Sequence, residues 1–376
     1  MKKRIFLSPP DMTGKELDLI HEVFDSNFIA PVGPMLKRFE DDFCRYTGFK
    51  HACAVVSGTA AIHLGLAVLG IKPKDYVISS TLTFIGGVFP ILYQGATPAF
   101  IDCGFNYTTS AYALEDAFQR LEFLNKLPSA VILTDLYGQC CDMKELMEIC
   151  TNHGIPVVVD ACESLGSIAY GKHAGKGADI AAFSFNGNKI ITSSGGGMIA
   201  SDDKDLIDMA RHMSQQSVDP GYDFYNHSMI GYNYRMSNVV AAIGVGQLEA
   251  LDEKVEKKRK IFQYYYDRLK KFDELQFMKE YAYGTSSRWQ CVVSLRETSP
   301  VILKNALEEE NIESRFVFRP MHMQPVFMNN PEALFFGDSY SNAKFLSERG
   351  LCLPCGTAMT EEDLDRVCKV IEGVLK

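Results

Sequence analysis

The 376-residue sequence predicts an α/β fold: a mostly parallel mixed sheet flanked by helices, followed by a smaller C-terminal α+β domain. Three observations carry this. From about residue 50 to residue 200, short β-rich runs alternate with helical patterns, which builds parallel sheets with helices on both faces. Some of the runs are apolar without alternation, Val157-Val158-Val159 most clearly, as in strands buried on both sides. The chain is also longer than one hydrophobic core usually serves, and its character changes after Ser237.

Residues 52–56 read as a strand and 59–69 as a helix with small residues on its first turn. Residues 76–80, 97–101, 130–133 and 156–160 read as further strands, with a helix over 142–152. Residues 238–251 are small and apolar, and 252–269 are charged with an aromatic stripe. Together they predict a long helix leaving the first domain, which sets the domains at 1–250 and 251–376. A strand over 290–295, a helix over 302–311 and a last helix from Thr360 complete the chain. No repeat, low-complexity tract or flexible linker is visible.

Hydrophobic residues make up 47% and charged residues 23%, as in ordinary globular enzymes. A net charge of −9 argues against nucleic-acid binding, which calls for a basic patch or stripe. The 11 cysteines are scattered and odd in number, as free and mostly buried thiols in a reducing cytoplasm would be. The basic start Met1-Lys2-Lys3-Arg4 runs into Pro9-Pro10 without the apolar stretch of a secretory signal. No run is long enough to span a bilayer, so no membrane or nucleic-acid partner is expected.

The chemistry gathers at predicted strand ends. Ser57-Gly58-Thr59-Ala60-Ala61 starts a helix whose free N–H groups and dipole suit a phosphate; a plain serine N-cap explains it equally. Asp160 ends an apolar strand, where ligands of open α/β sheets bind, although it could simply cap the next helix. Glu163, one turn on, faces the same way. Lys189 follows the run Ile180-Ala181-Ala182 and precedes Ser193-Ser194-Gly195-Gly196-Gly197. The glycines allow close backbone approach, and a lysine partly withdrawn from water can serve as nucleophile and base. Alone it could be a surface lysine in a glycine-rich hairpin, just as Phe84 alone could be core. In order, however, a small-residue helix start, a strand-end Asp and a strand-end Lys match three handles of pyridoxal 5'-phosphate (PLP): phosphate, ring nitrogen and aldehyde.

The chain resembles, nearly end to end, the sugar-nucleotide aminotransferases of the DegT/DnrJ/EryC1/StrS type. The stretches that carry the resemblance are Asn27-Phe28-Ile29-Ala30-Pro31, Ser57-Gly58-Thr59-Ala60-Ala61, Thr83-Phe84-Ile85, Asp160-Ala161-Cys162-Glu163-Ser164-Leu165-Gly166 and Ser184-Phe185-Asn186-Gly187-Asn188-Lys189. Gly231-Tyr232-Asn233-Tyr234-Arg235-Met236-Ser237-Asn238, Arg319-Pro320-Met321-His322 and Cys352-Leu353-Pro354-Cys355-Gly356-Thr357-Ala358 complete them. The resemblance implies the PLP-dependent transferase fold of type I. It makes Lys189 the Schiff-base lysine and proton shuttle, Asp160 the partner of the ring nitrogen and Phe84 the residue stacked on the ring. Gly58, Thr59 and Ser184 would hold the phosphate; Ala60, Glu163 and Asn188 would complete the cofactor set. Asn233 would reach the phosphate of a neighbouring subunit, which implies a homodimer with shared active sites. Asn27, Phe28, Ile29, Asn186, Tyr232, Arg235, Arg315 and His322 would face the substrate, His322 otherwise merely packing.

Two departures mark this chain. Glu163 stands where many members carry Gln, as in the transaminases of the N-acetylbacillosamine pathway, which share the Ser-Phe-Asn-Gly-Asn-Lys form and the opening Phe6-Leu7-Ser8-Pro9-Pro10. The family's Arg-Pro-x-Trp segment is Arg315-Phe316-Val317-Phe318 here. Members that dehydrate carry His at the lysine position, and Lys189 speaks against that. The implied reaction moves the amino group of L-glutamate to the C4 ketone of a UDP-linked 4-keto-6-deoxy-N-acetylhexosamine, giving the UDP-4-amino-4,6-dideoxy sugar. The alternatives are a dTDP-4-keto-6-deoxyhexose aminated at C3 or C4, a PLP-dependent lyase or dehydratase, and a non-catalytic PLP-binding sensor. Cys352 and Cys355 lack the companion ligands of a zinc site, and with Cys140 and Cys141 they read as structural; no metal is expected.

Overall fold

The computed structural model describes residues 3–221, 224–337 and 340–375, so Met1 and Lys2 of the basic N-terminal stretch lie outside the described residues. In chain order the strands are β1 (His51–Val55), β2 (Tyr76–Ser80), β3 (Thr97–Ile101), β4 (Pro128–Thr134), β5 (Val157–Asp160), β6 (Ile168–Ala169), β7 (Lys172–His173) and β8 (Ile180–Ser184). They continue with β9 (Gly197–Ser201), β10 (Leu275–Phe277), β11 (Gly284–Thr285), β12 (Cys291–Leu295), β13 (Arg315–Phe316), β14 (Leu334–Phe336) and β15 (Gly350–Leu353).

Eight strands form one sheet in the order β1-β9-β8-β5-β4-β2-β3-β14. From β8 to β14 all pairings are parallel, while β9 runs antiparallel to both β8 and β1. The central strands are closed off on both faces, which is why their side chains are apolar in unbroken runs. Helix Gly58–Val68 covers one face with Ile62, Leu64 and Leu66 buried. The other face is covered by helices Lys15–Ser26, Pro34–Thr47 and Asn238–Leu248. There Phe39 meets Phe185 and Phe43 meets Phe183, each with ring centroids 5.0 Å apart. Aromatic pairs of this kind add about 0.5–1.5 kcal/mol to the burial itself.

The second sheet, β10-β12-β15-β13, is antiparallel. Helices Leu251–Leu269, Pro300–Glu309 and Glu361–Val374 pack on it around Tyr265, Val293, Leu303 and Ile371. The last helix starts at Thr360, whose side chain forms a reciprocal capping box with Asp363.

Two features differ from the sequence reading. The expected single helix over 238–269 is two helices, because Ala250 leaves helical geometry at φ −99° and ψ 6°. The chain also crosses the expected boundary at 250 in several places, β11 for one pairing with β6. Ile5 bridges to Ile312 and packs in the second core. β14, far beyond residue 250, returns to cover β3, which would otherwise be an open edge.

Candidate active site

The carboxyl ends of β2, β4, β5 and β8, with the turn after β1, border a cavity of about 350 Å³, a size suited to a small cofactor with part of a substrate. Ser57, Gly58 and Thr59 reach it from the turn after β1, Thr83 and Phe84 after β2, and Asp135 after β4. Asp160 ends β5, and Ser184 to Lys189 leave β8. The Ser57 side chain caps its helix by accepting the Ala60 N–H at 3.0 Å. The helix start closes on β5 and β8 only because residue 58 is glycine: a Cβ there would stand 2.5 Å from Cys162 Sγ and 2.9 Å from Ser184 Cβ. This small-residue cradle at a helix N-terminus fits a phosphate.

Asp160 is buried, and burial pushes its carboxyl group up in pKa while Lys189 opposes the rise. Its Oδ1 accepts the Cys162 N–H at 3.2 Å, and among the described residues no donor reaches Oδ2. Asp160 lines the cavity, so a protonated ring nitrogen placed there could donate to this oxygen. Lys189 sits at the end of a turn closed by its own N–H on the Asn186 carbonyl at 3.0 Å. Its Nζ donates to Glu163 Oε1 at 3.1 Å and lies 4.3 Å from the ring centre of Trp289. Glu163 Oε2 accepts the Tyr137 N–H at 3.1 Å; burial raises the Glu163 pKa and Lys189 counters it.

Comparisons with known proteins give this site its setting. A sequence model described as the DegT/DnrJ/EryC1/StrS aminotransferase family matches residues 10–372. The chain belongs to that family. EpsN of Bacillus subtilis (strain 168), named as a pyridoxal phosphate-dependent aminotransferase, is 46% identical over 99% of this chain and 96% of its own length. A GDP-perosamine synthase of Caulobacter vibrioides is 36% identical over 99% and 98%. The crystal structure of a DegT DnrJ EryC1 StrS aminotransferase from Brucella abortus superposes with a TM-score of 0.90 at 25% identity, covering 96% of this chain and 95% of that one. The protein is thus a PLP-dependent sugar aminotransferase. The Gly58 cradle, the carboxylate of Asp160 and the amine of Lys189 fit the phosphate, ring nitrogen and aldehyde of PLP.

Of the residues singled out in sequence, this aminotransferase brings Gly58, Thr59, Phe84, Asp160, Glu163, Ser184, Asn186, Asn188, Lys189 and Arg315 to the cavity wall. Phe84 is half-exposed, its ring 5.6 Å from that of Phe318. Arg315 stands at the mouth with Glu313 3.5 Å away. Others are not brought there. The Ala60 N–H is already spent on Ser57. Arg235 is buried, bonded to Glu40 Oε1 at 2.5 Å and the Ala54 carbonyl at 2.9 Å, so its charge holds the fold. His322 bonds Thr81 Oγ1 at 2.8 Å and stacks on Tyr340 at 4.3 Å, and burial lowers its pKa. Tyr232 packs between Tyr234 and His63. Asn27, Phe28, Ile29 and Asn233 are exposed away from the cavity.

Sequence reasoning missed Asp135 and Trp289, which also line the cavity, and named Phe318 only as the end of the departing Arg315–Phe318 segment. Asp135 ends an apolar strand as Asp160 does, so the same signal was present. Trp289 arrives from the second sheet, and nothing local marks it except that it is the chain's single tryptophan. No helix among the described residues is long and apolar enough to cross a membrane. The described residues also hold no cluster of three or more His, Cys, Asp or Glu suited to a metal.

Proposed function

We propose that this enzyme moves the amino group of L-glutamate to the C4 ketone of a UDP-linked 4-keto-6-deoxy-N-acetylhexosamine, giving the UDP-4-amino-4,6-dideoxy sugar. The observation that carries this reading is Glu163: a buried carboxylate bridging the Tyr137 N–H and the Lys189 amine, where the N-acetylbacillosamine-pathway transaminases also have a carboxylate. When bound, PLP supplies an electron sink that makes the donor Cα–H acidic. The rest falls to the chain. Gly58, Thr59 and Ser184 would hold the phosphate, Asp160 would accept from the ring nitrogen, and Phe84 would cover the ring. Lys189 Nζ takes the proton from the donor Cα and, in the second half-reaction, returns one to C4 of the sugar. Glu163 keeps that amine on station. Arg315, exposed at the mouth, pairs with the donor carboxylate or the acceptor diphosphate.

The working unit in this reading is a cytoplasmic homodimer with shared active sites. Asn27, Phe28, Ile29, Tyr232 and Asn233 then serve the partner's pocket, and Phe28 and Ile29, half-exposed, are what a second copy would cover. A second reading, a GDP-linked 4-keto-6-deoxy sugar as acceptor, is favoured by the 36% identity to the GDP-perosamine synthase. The test is to incubate purified enzyme with L-glutamate and each acceptor, following 2-oxoglutarate and the amino sugar. Turnover of the UDP sugar, absent in Lys189→Ala, is expected; turnover of the GDP sugar alone would overturn the UDP assignment. Light scattering checks the dimer.

A further inference from the structure

Among the described residues the amine of Lys189 makes two close side-chain contacts, and only that with Glu163 has been given a role. The other is Trp289. Its indole ring lies 4.3 Å from Nζ, opposite in character to a carboxylate: an uncharged face that attracts a cation and gives almost nothing to a neutral amine. The ring is buried and fixed at several points. Its Nε1–H donates to the Asn188 carbonyl at 2.8 Å, next in sequence to Lys189 itself. Its own carbonyl accepts from Lys258 Nζ at 3.0 Å. It stacks on Tyr137 at 6.3 Å and 12°, the residue whose N–H holds Glu163.

The loop that presents the ring is equally constrained. Ser286 donates to the Gly138 carbonyl at 2.7 Å, and the Ser287 N–H donates to Ser167 Oγ at 3.0 Å. Arg288 takes a left-handed backbone at φ 52°, its guanidinium 3.7 Å from the ring centre of Phe262 and bonded to the Met278 carbonyl at 2.7 Å. A non-glycine residue in that conformation costs about 1–3 kcal/mol and persists only where its surroundings dictate it. Here they place the next residue, Trp289, over the amine.

We propose that Trp289 is a positioning residue for transamination, its ring face holding Lys189 Nζ in the ammonium form between taking a proton from the amino donor and giving it up. The gain is selective. A contact that strengthens only when the amine carries the proton stabilises the loaded state without tightening the resting one. The two neighbours divide the work: Glu163 aims Nζ from one side by a hydrogen bond, and Trp289 confines it from the other without accepting its proton.

The proposal rests on the aminotransferase reading with L-glutamate as donor, and two measurements keep the failures apart. In cofactor-free protein the emission maximum of Trp289 is read with and without Lys189→Met. Because this is the chain's single tryptophan, removing a charge above the ring shifts the maximum; an unchanged maximum overturns the contact whatever the donor is. In the holoenzyme, bleaching of the visible band by L-glutamate is timed in single turnovers. Trp289→Leu is expected to slow it about tenfold, equivalent to ~1.4 kcal/mol of lost cation–π attraction. Trp289→Phe, which keeps a ring face but not the Nε1–H, is expected to stay within about threefold of wild type. Equal slowing of the two variants would assign the effect to the Asn188 hydrogen bond, and wild-type rates in both would remove Trp289 from the reaction; either overturns the proposal. If wild-type enzyme does not bleach, the donor assignment fails, and the emission shift alone decides whether Trp289 sits over the amine.

Discussion

Replacing Asp135 by Asn should make this enzyme more stable at neutral pH, and less so in acid. Asp135 is 1% exposed, and burial, the largest influence, lifts its carboxyl from the ordinary 3.8 to about 6. Ser164 Oγ, donating to Oδ2 at 2.6 Å, and the Cys141 N–H, donating to Oδ1 at 2.8 Å, oppose the rise, while Asp160 adds to it. A folded-state pKa above the unfolded one means that the native state holds the extra proton between the two values. Stability therefore falls as pH rises through that window. A gap of about two in pKa corresponds to ~3 kcal/mol once both states are ionised. Asn mimics the protonated acid: its oxygen can accept from Cys141 and its amide can donate to Ser164. At an unfolding entropy of ~2 cal/mol/K per residue, ~3 kcal/mol amounts to about 4 °C for a chain of this length. Roughly half of the penalty is already present at about pH 5, so the advantage of Asp135→Asn should shrink there to about 2 °C. Differential scanning fluorimetry at about pH 7.5 and pH 5 reads both. An equal shift at both pH values, or a less stable variant at pH 7.5, would refute the reasoning.

Two other substitutions separate the cofactor site from the scaffold. A Cβ at Gly87 would stand 2.4 Å from Asp160 Oδ2, so Gly87→Ala should displace that carboxylate and weaken PLP retention about tenfold, ~1.4 kcal/mol. Dialysis followed by the visible band measures it; undiminished retention would mean that Asp160 does not hold the ring nitrogen. Arg235→Met should lower stability by about 3 kcal/mol, the low end for a broken buried pair, because Arg211 still reaches Glu40 at 2.9 Å. The KM for the sugar should not move. A raised KM with unchanged melting would return Arg235 to the substrate.

What could be read in the sequence, and what could not, follows the range of the interactions involved. β2 and β3 fall on residues 76–80 and 97–101 as expected, because each is a short β-prone run entered from a local turn signal, Pro73-Lys74-Asp75 and Gly95. The helix from Met143 begins after Asp142, whose side chain caps it, again a local signal. The return of β14 to the first sheet could not be read, since three residues carry no usable periodicity and their partner β3 lies far back in the chain. Arg235 shows the same limit in chemistry. An arginine inside Tyr-Arg-Met-Ser looks the same whether its partner is a substrate phosphate or a buried carboxylate, and the partner it has, Glu40, is 195 residues away. Trp289 was hidden for the same reason.

The charges in the cavity say why the site needs its cofactor. Three carboxyl groups, Asp135, Asp160 and Glu163, are buried in its wall, and beside them the partly buried amine of Lys189 is bonded to Glu163. Asp135 is relieved by two hydrogen bonds and a raised affinity for its proton. Asp160 has one hydrogen bond on Oδ1 and, among the described residues, none on Oδ2. A carboxylate left in that state disfavours its own ionisation, and burial does raise its pKa. A cationic N–H against Oδ2 reverses the preference, because an opposite charge at contact holds a carboxylate ionised. The electron sink of PLP is stronger with its ring nitrogen protonated, so in the proposed reading Asp160 and the ring nitrogen would stabilise each other's charged state. Arg315, with its side chain about half in solvent and Glu313 3.5 Å away, stays outside this balance; in the proposed reading it would meet the negative charge that each substrate carries in.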